Sequence, residues 1–158
     1  MKGTSTSMKF WNQESDYDKL EPLTEQMIVR AEKELKVKLP QSYISLLKKQ
    51  NGGYINFDAH PSPQPTEWAD DLIRVDHIYG IAPNKGILQS SYLIKEWDLP
   101  KNLVLISGDG HWWIALDYRI QKEEPPVVYI ESDGGRTIEL ARNFDSFLVG
   151  LCTWEYED

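Results

Sequence analysis

The chain has 158 residues, the size of one ordinary domain, and its 41% hydrophobic share suffices for a core that needs no metal or disulfide staple. The lone Cys152 excludes an internal disulfide, and no apolar run approaches the ~18 residues that cross a bilayer. With 25 Asp/Glu against 17 Lys/Arg the formal net charge is −8, the opposite of the basic face on which phosphate-driven nucleic-acid binding rests.

Residues 1–21 carry Phe10 and Trp11 among small and polar residues with no sustained period, an N-terminal arm that is loosely ordered or tacked down by those rings. The domain proper is expected over 22–158. Thr24 predicts an N-cap, with Ile28, Ala31 and Leu35 on one face of a helix running to about Lys36. Pro40 suits the first position of a second helix, whose Tyr43, Leu46 and Leu47 face inward and which Asn51-Gly52-Gly53 stops. Together the two predict an αα-hairpin.

Tyr54 to Phe57 reads as a short strand, Asp58 to Asp71 as a loop with Pro61, Pro63, Pro65 and Trp68, and Leu72 to Ile81 as one longer strand with Ile73, Val75, His77 and Tyr79 on one face. A turn at Pro83 to Gly86 leads into a third helix over roughly Ile87 to Trp97, ended before Pro100. Two hairpins follow: Leu103–Ile106 with His111–Asp117 around Ser107-Gly108-Asp109-Gly110, and Val127–Glu131 with Arg136–Leu140 around Ser132-Asp133-Gly134-Gly135. Asn143 caps a last helix with Phe144, Phe147, Leu148 and Leu151 on one face and Cys152 at its end, and the tail from Trp154 is acidic and aromatic. This order predicts an α+β single domain, a mainly antiparallel sheet of about six strands packed with about four helices.

No phosphate-loop, dinucleotide, zinc-protease, nucleophile-elbow or Cys-x-x-Cys signature is present, so no catalytic residue, metal ligand or cofactor is expected. An enzyme reading would rest on Asp109, His111 and Asp117 as a hydrolase trio. However, Asp109 between two glycines is explained by its turn, and Asp117 lies about 20 Å along the strand from His111 at ~3.3 Å per residue. His60 and His77 have no metal-ligand spacing, and Cys152 reads as an inert buried thiol.

Charge placement bears on partners. Residues 1–50 hold nine basic and seven acidic side chains, whereas 51–158 hold eight and eighteen. That acidity suits a cationic protein partner, and aromatic anchors mark interfaces. Adjacent Trp112 and Trp113 point to opposite faces of a strand, so one is exposed unless both faces are covered. Trp68, with Glu67, Asp70 and Asp71 around it, is an aromatic anchor ringed by carboxylates. The predicted partner contacts are Trp68, Asp70, Asp71, Asp109, His111 and Trp112.

The succession Leu39-Pro40-Gln41-Ser42-Tyr43, Asn51-Gly52-Gly53, Tyr79-Gly80, the Gly108-Asp109-Gly110 turn, Leu116-Asp117 and the Phe144 to Leu148 helix resembles the SUKH superfamily. The likeness is to the branch of the yeast Smi/Knr cell-wall-assembly regulators and their bacterial relatives, and it covers about 22–151. The resemblance implies an α+β binding scaffold in which Leu39, Pro40, Tyr43, Gly52 and Gly53 make the fold. It implies an immunity protein that neutralises a cognate polymorphic-toxin domain, expected to be a basic nuclease, by occluding its active site. The alternative it implies is a regulatory interaction scaffold without a toxin partner. Met1 to Phe10 lacks an apolar block with a cleavage site, so a cytoplasmic location is expected, with no direct nucleic-acid or membrane contact.

Overall fold

A computed structural model describes residues 10–14, 16, 19–66, 68–132 and 135–153. The acidic tail from Trp154, the turn residues Asp133 and Gly134, and Glu67 lie outside the described residues. Four helices are present among those described, α1 (Glu25–Leu35), α2 (Gln41–Lys49), α3 (Ser90–Glu96) and α4 (Phe144–Gly150), with a 3-10 turn at Ile87–Gln89 leading into α3. The strands are β1 (Gly53–Tyr54), β2 (Ala59–Pro61), β3 (Leu72–Arg74), β4 (His77–Ile78), β5 (Ile81–Ala82), β6 (Lys85–Gly86), β7 (Leu103–Gly108), β8 (Trp112–Asp117), β9 (Val127–Glu131) and β10 (Thr137–Ala141). The α+β class stands, but the main antiparallel sheet has four strands, in the order β10-β9-β8-β7, not six. The other six strands form two-stranded ribbons, β1 with β4, β2 with β3 and β5 with β6. None of the described helices is long and apolar enough to cross a membrane.

The helix ends follow the capping chemistry of the sequence. Thr24 accepts from the Met27 amide and Asn143 from the Ser146 amide, each occupying one of the donors that a helix start leaves unpaired. Glu25 at the start of α1 pairs with Lys48 at the end of α2 at 3.1 Å. Pro40 stands one residue before α2 rather than inside it, and extended Gln50 ends that helix.

The segment read as one strand over Leu72 to Ile81 is broken into β3, β4 and β5, because the chain pairs with three different partners in succession. Its β3 partner, β2, lies inside the predicted loop and carries His60 and Pro61 at the edge of its ribbon. The arm is tacked down at its described end: Trp11 is buried, bridges Ile55, and packs edge-on against Phe10.

Both faces of the main sheet are covered. Val104, Ile106, Trp112, Ile114, Leu116, Val127, Tyr129 and Ile138 join Ile28, Ala31, Tyr43, Ile44, Leu47, Phe144 and Phe147 in the larger core. On the other face Leu105, Trp113, Ala115, Val128 and Ile130 pack under Leu99, Leu93 and Ile94 at α3. Trp112 and Trp113 therefore point to opposite faces and are both buried, each 3% exposed. Burial of each large apolar side chain contributes roughly 1.5–3 kcal/mol.

The family-like motifs converge on one joint. The Asn51 amide donates to the carbonyls of Glu21 and Ile81, both at 2.7 Å, and its Oδ1 accepts from the Ile81 amide at 2.8 Å. Gly80 packs so closely that a Cβ there would collide with the Asn51 carbonyl and side-chain oxygens. Tyr43 donates to the Tyr79 carbonyl at 2.5 Å, and burial holds its phenol well above its ordinary pKa, so it remains a neutral donor. The joint ties the end of α2 to the β4–β5 segment, which the Tyr79 amide hangs on the main sheet by donating to Ile106, the extra residue of a bulge in β7.

Candidate functional site

Beside that segment lies an open cleft of about 430 Å³ between the loop after β2, the β3–β4 segment and the tip of the β7–β8 hairpin. Its centre is a pair adjacent in sequence. His77 Nδ1 donates to Asp76 Oδ1 at 2.7 Å, and Nε2 lies 3.0 Å from the Gly108 carbonyl oxygen and 3.3 Å from the Gly108 amide. A neutral ring accepts from that amide and a protonated one donates to that carbonyl, so both nitrogens are engaged in either state. The Tyr79 hydroxyl donates to the same carbonyl at 2.9 Å, and Ser107 Oγ donates to the His77 carbonyl at 2.7 Å. Gly108 has a φ of 155°, and a Cβ there would strike the Trp113 ring and the Trp112 carbonyl. The hydrogen bond from His77 is the main reason that Asp76 lies below its ordinary carboxylate pKa, with Arg74 adding to it and partial burial opposing it.

Aromatic rings wall the cleft: Tyr54 stands edge-on to His77, and Tyr79 and Trp112 pack against the same ring. Trp68 forms the outer wall, and the Arg74 guanidinium lies 5.9 Å from its ring centroid while reaching Asp76 at 3.6 Å. The Trp68 loop is held by its own hydrogen bonds. Thr66 donates to the Leu72 carbonyl and accepts from the Trp68 amide, both at 3.1 Å, and Arg136 donates to the Pro65 carbonyl at 2.8 Å.

Of the six predicted contacts, Trp68, Asp109 and Trp112 line this cleft, while Asp70, Asp71 and His111 are exposed outside it. Trp112 is not a surface anchor, because it is buried and supplies the cleft floor. Trp68 is half-buried, with one part against the core and the rest on the cleft. Asp109 Oδ1 accepts from the amides of His111 and Trp112, at 2.9 and 3.3 Å, which is the turn role its glycine neighbours suggest. The hydrolase trio does not assemble: Asp109 and Asp117 flank opposite ends of β8, and Asp117 is clamped by Arg119 through two contacts of 2.9 Å. Among the described residues no group of His, Cys, Asp and Glu could hold a metal ion.

Tyr54, Arg74, Asp76, His77 and Tyr79 also line the cleft and are not among the predicted contacts. The available signal was the inward-facing His77 in an alternating run, which marks a buried polar group that needs partners. Cys152 differs from expectation as well. It follows α4 instead of lying on it, is half-buried, and exchanges backbone hydrogen bonds with Ala59, while burial and then Asp58 push its thiol up, away from reactivity.

A family profile described as SMI1-KNR4 cell-wall (SUKH_6) matches residues 25–148, from the first turn of α1 into α4 and across the whole cleft. The chain belongs to the SMI1-KNR4 family. A search of curated proteins gave no match. SMI1-KNR4 proteins of the SUKH type are generally non-enzymatic immunity or interaction proteins, and their partners are in general other proteins. In this SMI1-KNR4 chain the histidine–aspartate pair joins a β4 residue to the β7–β8 tip through Gly108, so its geometry serves the shape of the cleft.

His60 also sets an acid limit on stability. Burial lowers the pKa of His60, whose ring stacks on Phe147 at 4.8 Å. The unfolded chain therefore binds the proton more readily, and stability falls as pH drops below the unfolded value of about 6.5. The contribution of Asp76, whose folded pKa is depressed, is lost only further down, below the ordinary carboxylate range. Urea midpoints measured against pH are expected to fall from about pH 6.5 downward, and His60→Phe should flatten the upper part of that fall and leave the lower part.

Proposed function

We propose that this protein is an immunity protein that binds a cognate toxin domain, a basic nuclease, and occludes its active site. The observation that carries this reading is the open cleft walled by aromatic rings, with the carboxylates of Asp76 and Asp109 in it and exposed Asp70 and Asp71 on the adjoining loop. A domain that binds polyanions presents cationic groups, and an acidic, aromatic surface competes for them electrostatically. Membership of the SMI1-KNR4 family supports a protein partner, and the acidic balance of residues 51–158 supports a basic one. A cytoplasmic site of action belongs to the same proposal.

Calorimetry on the purified pair tests it, with tight 1:1 binding as the expected result. Reversing Asp70 and Asp71 to Lys should slow association by about tenfold or more at low salt, with little change in melting temperature because both side chains are exposed. Unchanged association kinetics at low salt would remove that loop from the interface. Absence of any toxin binding, with capture of other proteins, would favour the regulatory scaffold.

A further inference from the structure

We propose that the cleft is a receptor for one arginine side chain of the protein partner, and that the chain's own Arg74 occupies part of that receptor until the partner arrives. The inference rests on the reading of the protein as a binder of a basic partner and names the chemistry that its cleft recognises.

Three observations carry it. The guanidinium of Arg74 lies 5.9 Å from the Trp68 ring centroid and 3.6 Å from Asp76 Oδ2, so the cleft already holds a planar cation between an aromatic ring and a carboxylate. Arginine suits such a place because its plane stacks on a ring while its edge donates to a carboxylate. Arg74 is also weakly held. Its side chain is 53% exposed and its ion pair is long, the kind of contact that contributes little and is displaced cheaply. Finally, the cleft has charge to spare. Asp76 and Asp109 oppose the single guanidinium, and Asp109 Oδ2 makes no hydrogen bond among the described residues, because the turn uses Oδ1 alone.

An incoming arginine would stack on Trp68, take the outer oxygen of Asp76 and reach Asp109, while Arg74 swings into solvent. His77 keeps its own bond to Asp76 Oδ1, so the cleft retains its shape during the exchange. Removing one positive charge from the protein should therefore strengthen one particular interaction, and loss of Asp109 should weaken it.

The test uses N-acetyl-arginine amide as probe and N-acetyl-citrulline amide as its uncharged isostere, followed by the indole NMR signals of the intact protein. Arg74→Gln is expected to bind the arginine probe about fivefold tighter than the parent, the scale of one exposed ion pair and one cation–π contact. Trp68→Leu and Asp109→Asn are each expected to weaken it about three- to fivefold, and the citrulline probe should give no saturable shift. Trp68 also packs on the core, so Asp109→Asn, exposed and still able to accept in its turn, is the variant whose fold is secure. Equal binding by Arg74→Gln and the parent, equal shifts from the two probes, or no saturable binding to Arg74→Gln at the highest soluble concentration would each overturn the proposal. Arginine binding with this pattern but no toxin partner would refute the immunity function and leave the receptor standing. Toxin binding that ignores these variants would do the reverse.

Discussion

Asn51→Ala should be among the most damaging single substitutions in this protein, lowering its unfolding free energy by about 3–4 kcal/mol. The side chain is 2% exposed, and its loss strips hydrogen bonds from the carbonyls of Glu21 and Ile81 and from the Ile81 amide. Buried backbone groups left without partners each cost about 1–3 kcal/mol, and Gly80, packed against the vacated oxygen, cannot move in to replace it. For a domain of this size the melting temperature should drop by roughly 10 °C. Asn51→Asp should fare no better, because it keeps the acceptor for the Ile81 amide but sets a carboxylate against two carbonyl oxygens. Thermal melts of the two variants check this, and a parent-like transition for either would show that the joint is not what couples α2 to the β4–β5 segment.

Gly108→Ala is the second large effect, expected at about 2–4 kcal/mol, and it differs in also opening the cleft. The new methyl would meet the Trp113 ring and the Trp112 carbonyl, both fixed in fully packed β8, so the hairpin tip must move instead. That tip carries the carbonyl on which both His77 and Tyr79 converge. Loss of stability should therefore be accompanied by changed indole NMR signals for Trp68 and Trp112, which line the cleft. An unaltered spectrum in a destabilised variant would separate Gly108's packing role from any role in the cleft.

The helices were legible because their signals are local. Thr24 and Asn143 are N-cap residues, and Ile28 with Ala31 or Phe144 with Phe147 repeat at helical spacing. The strands of the late meander were legible for the same reason, being apolar runs that each border a glycine-containing turn on one side. The segment from 72 to 82 was not, because alternation reports which side chains are buried but not which strand lies alongside. Ile73, Val75 and His77 are indeed all buried, yet the backbone pairs successively with β2, β1 and β6.

The same break explains why half of the cleft escaped notice. Adjacent residues on a continuous strand point to opposite faces, so Asp76 and His77 would not meet in the predicted strand. The interruption between β3 and β4 turns the Asp76 carboxylate onto the His77 ring. Trp68 and Asp109 stand out in the sequence by chemistry alone, as an aromatic among carboxylates and an acid at a glycine-flanked tip. Their meeting with Arg74 and Tyr54 depends on tertiary approach that no short-range pattern encodes. That Trp112 and Trp113 are both buried depends on the covering of both sheet faces, Trp112 within the larger core and Trp113 under α3 and Leu99, which is itself a tertiary fact.

Growth of cells expressing the C-terminal domain encoded by the neighbouring gene, with and without this protein, is the measurement on which the proposed immunity function stands or falls. The parent is expected to restore growth, and the Asp70→Lys, Asp71→Lys double variant, folded and equally abundant, to restore it less well. Growth arrest that persists in the presence of the folded parent protein would contradict the immunity function.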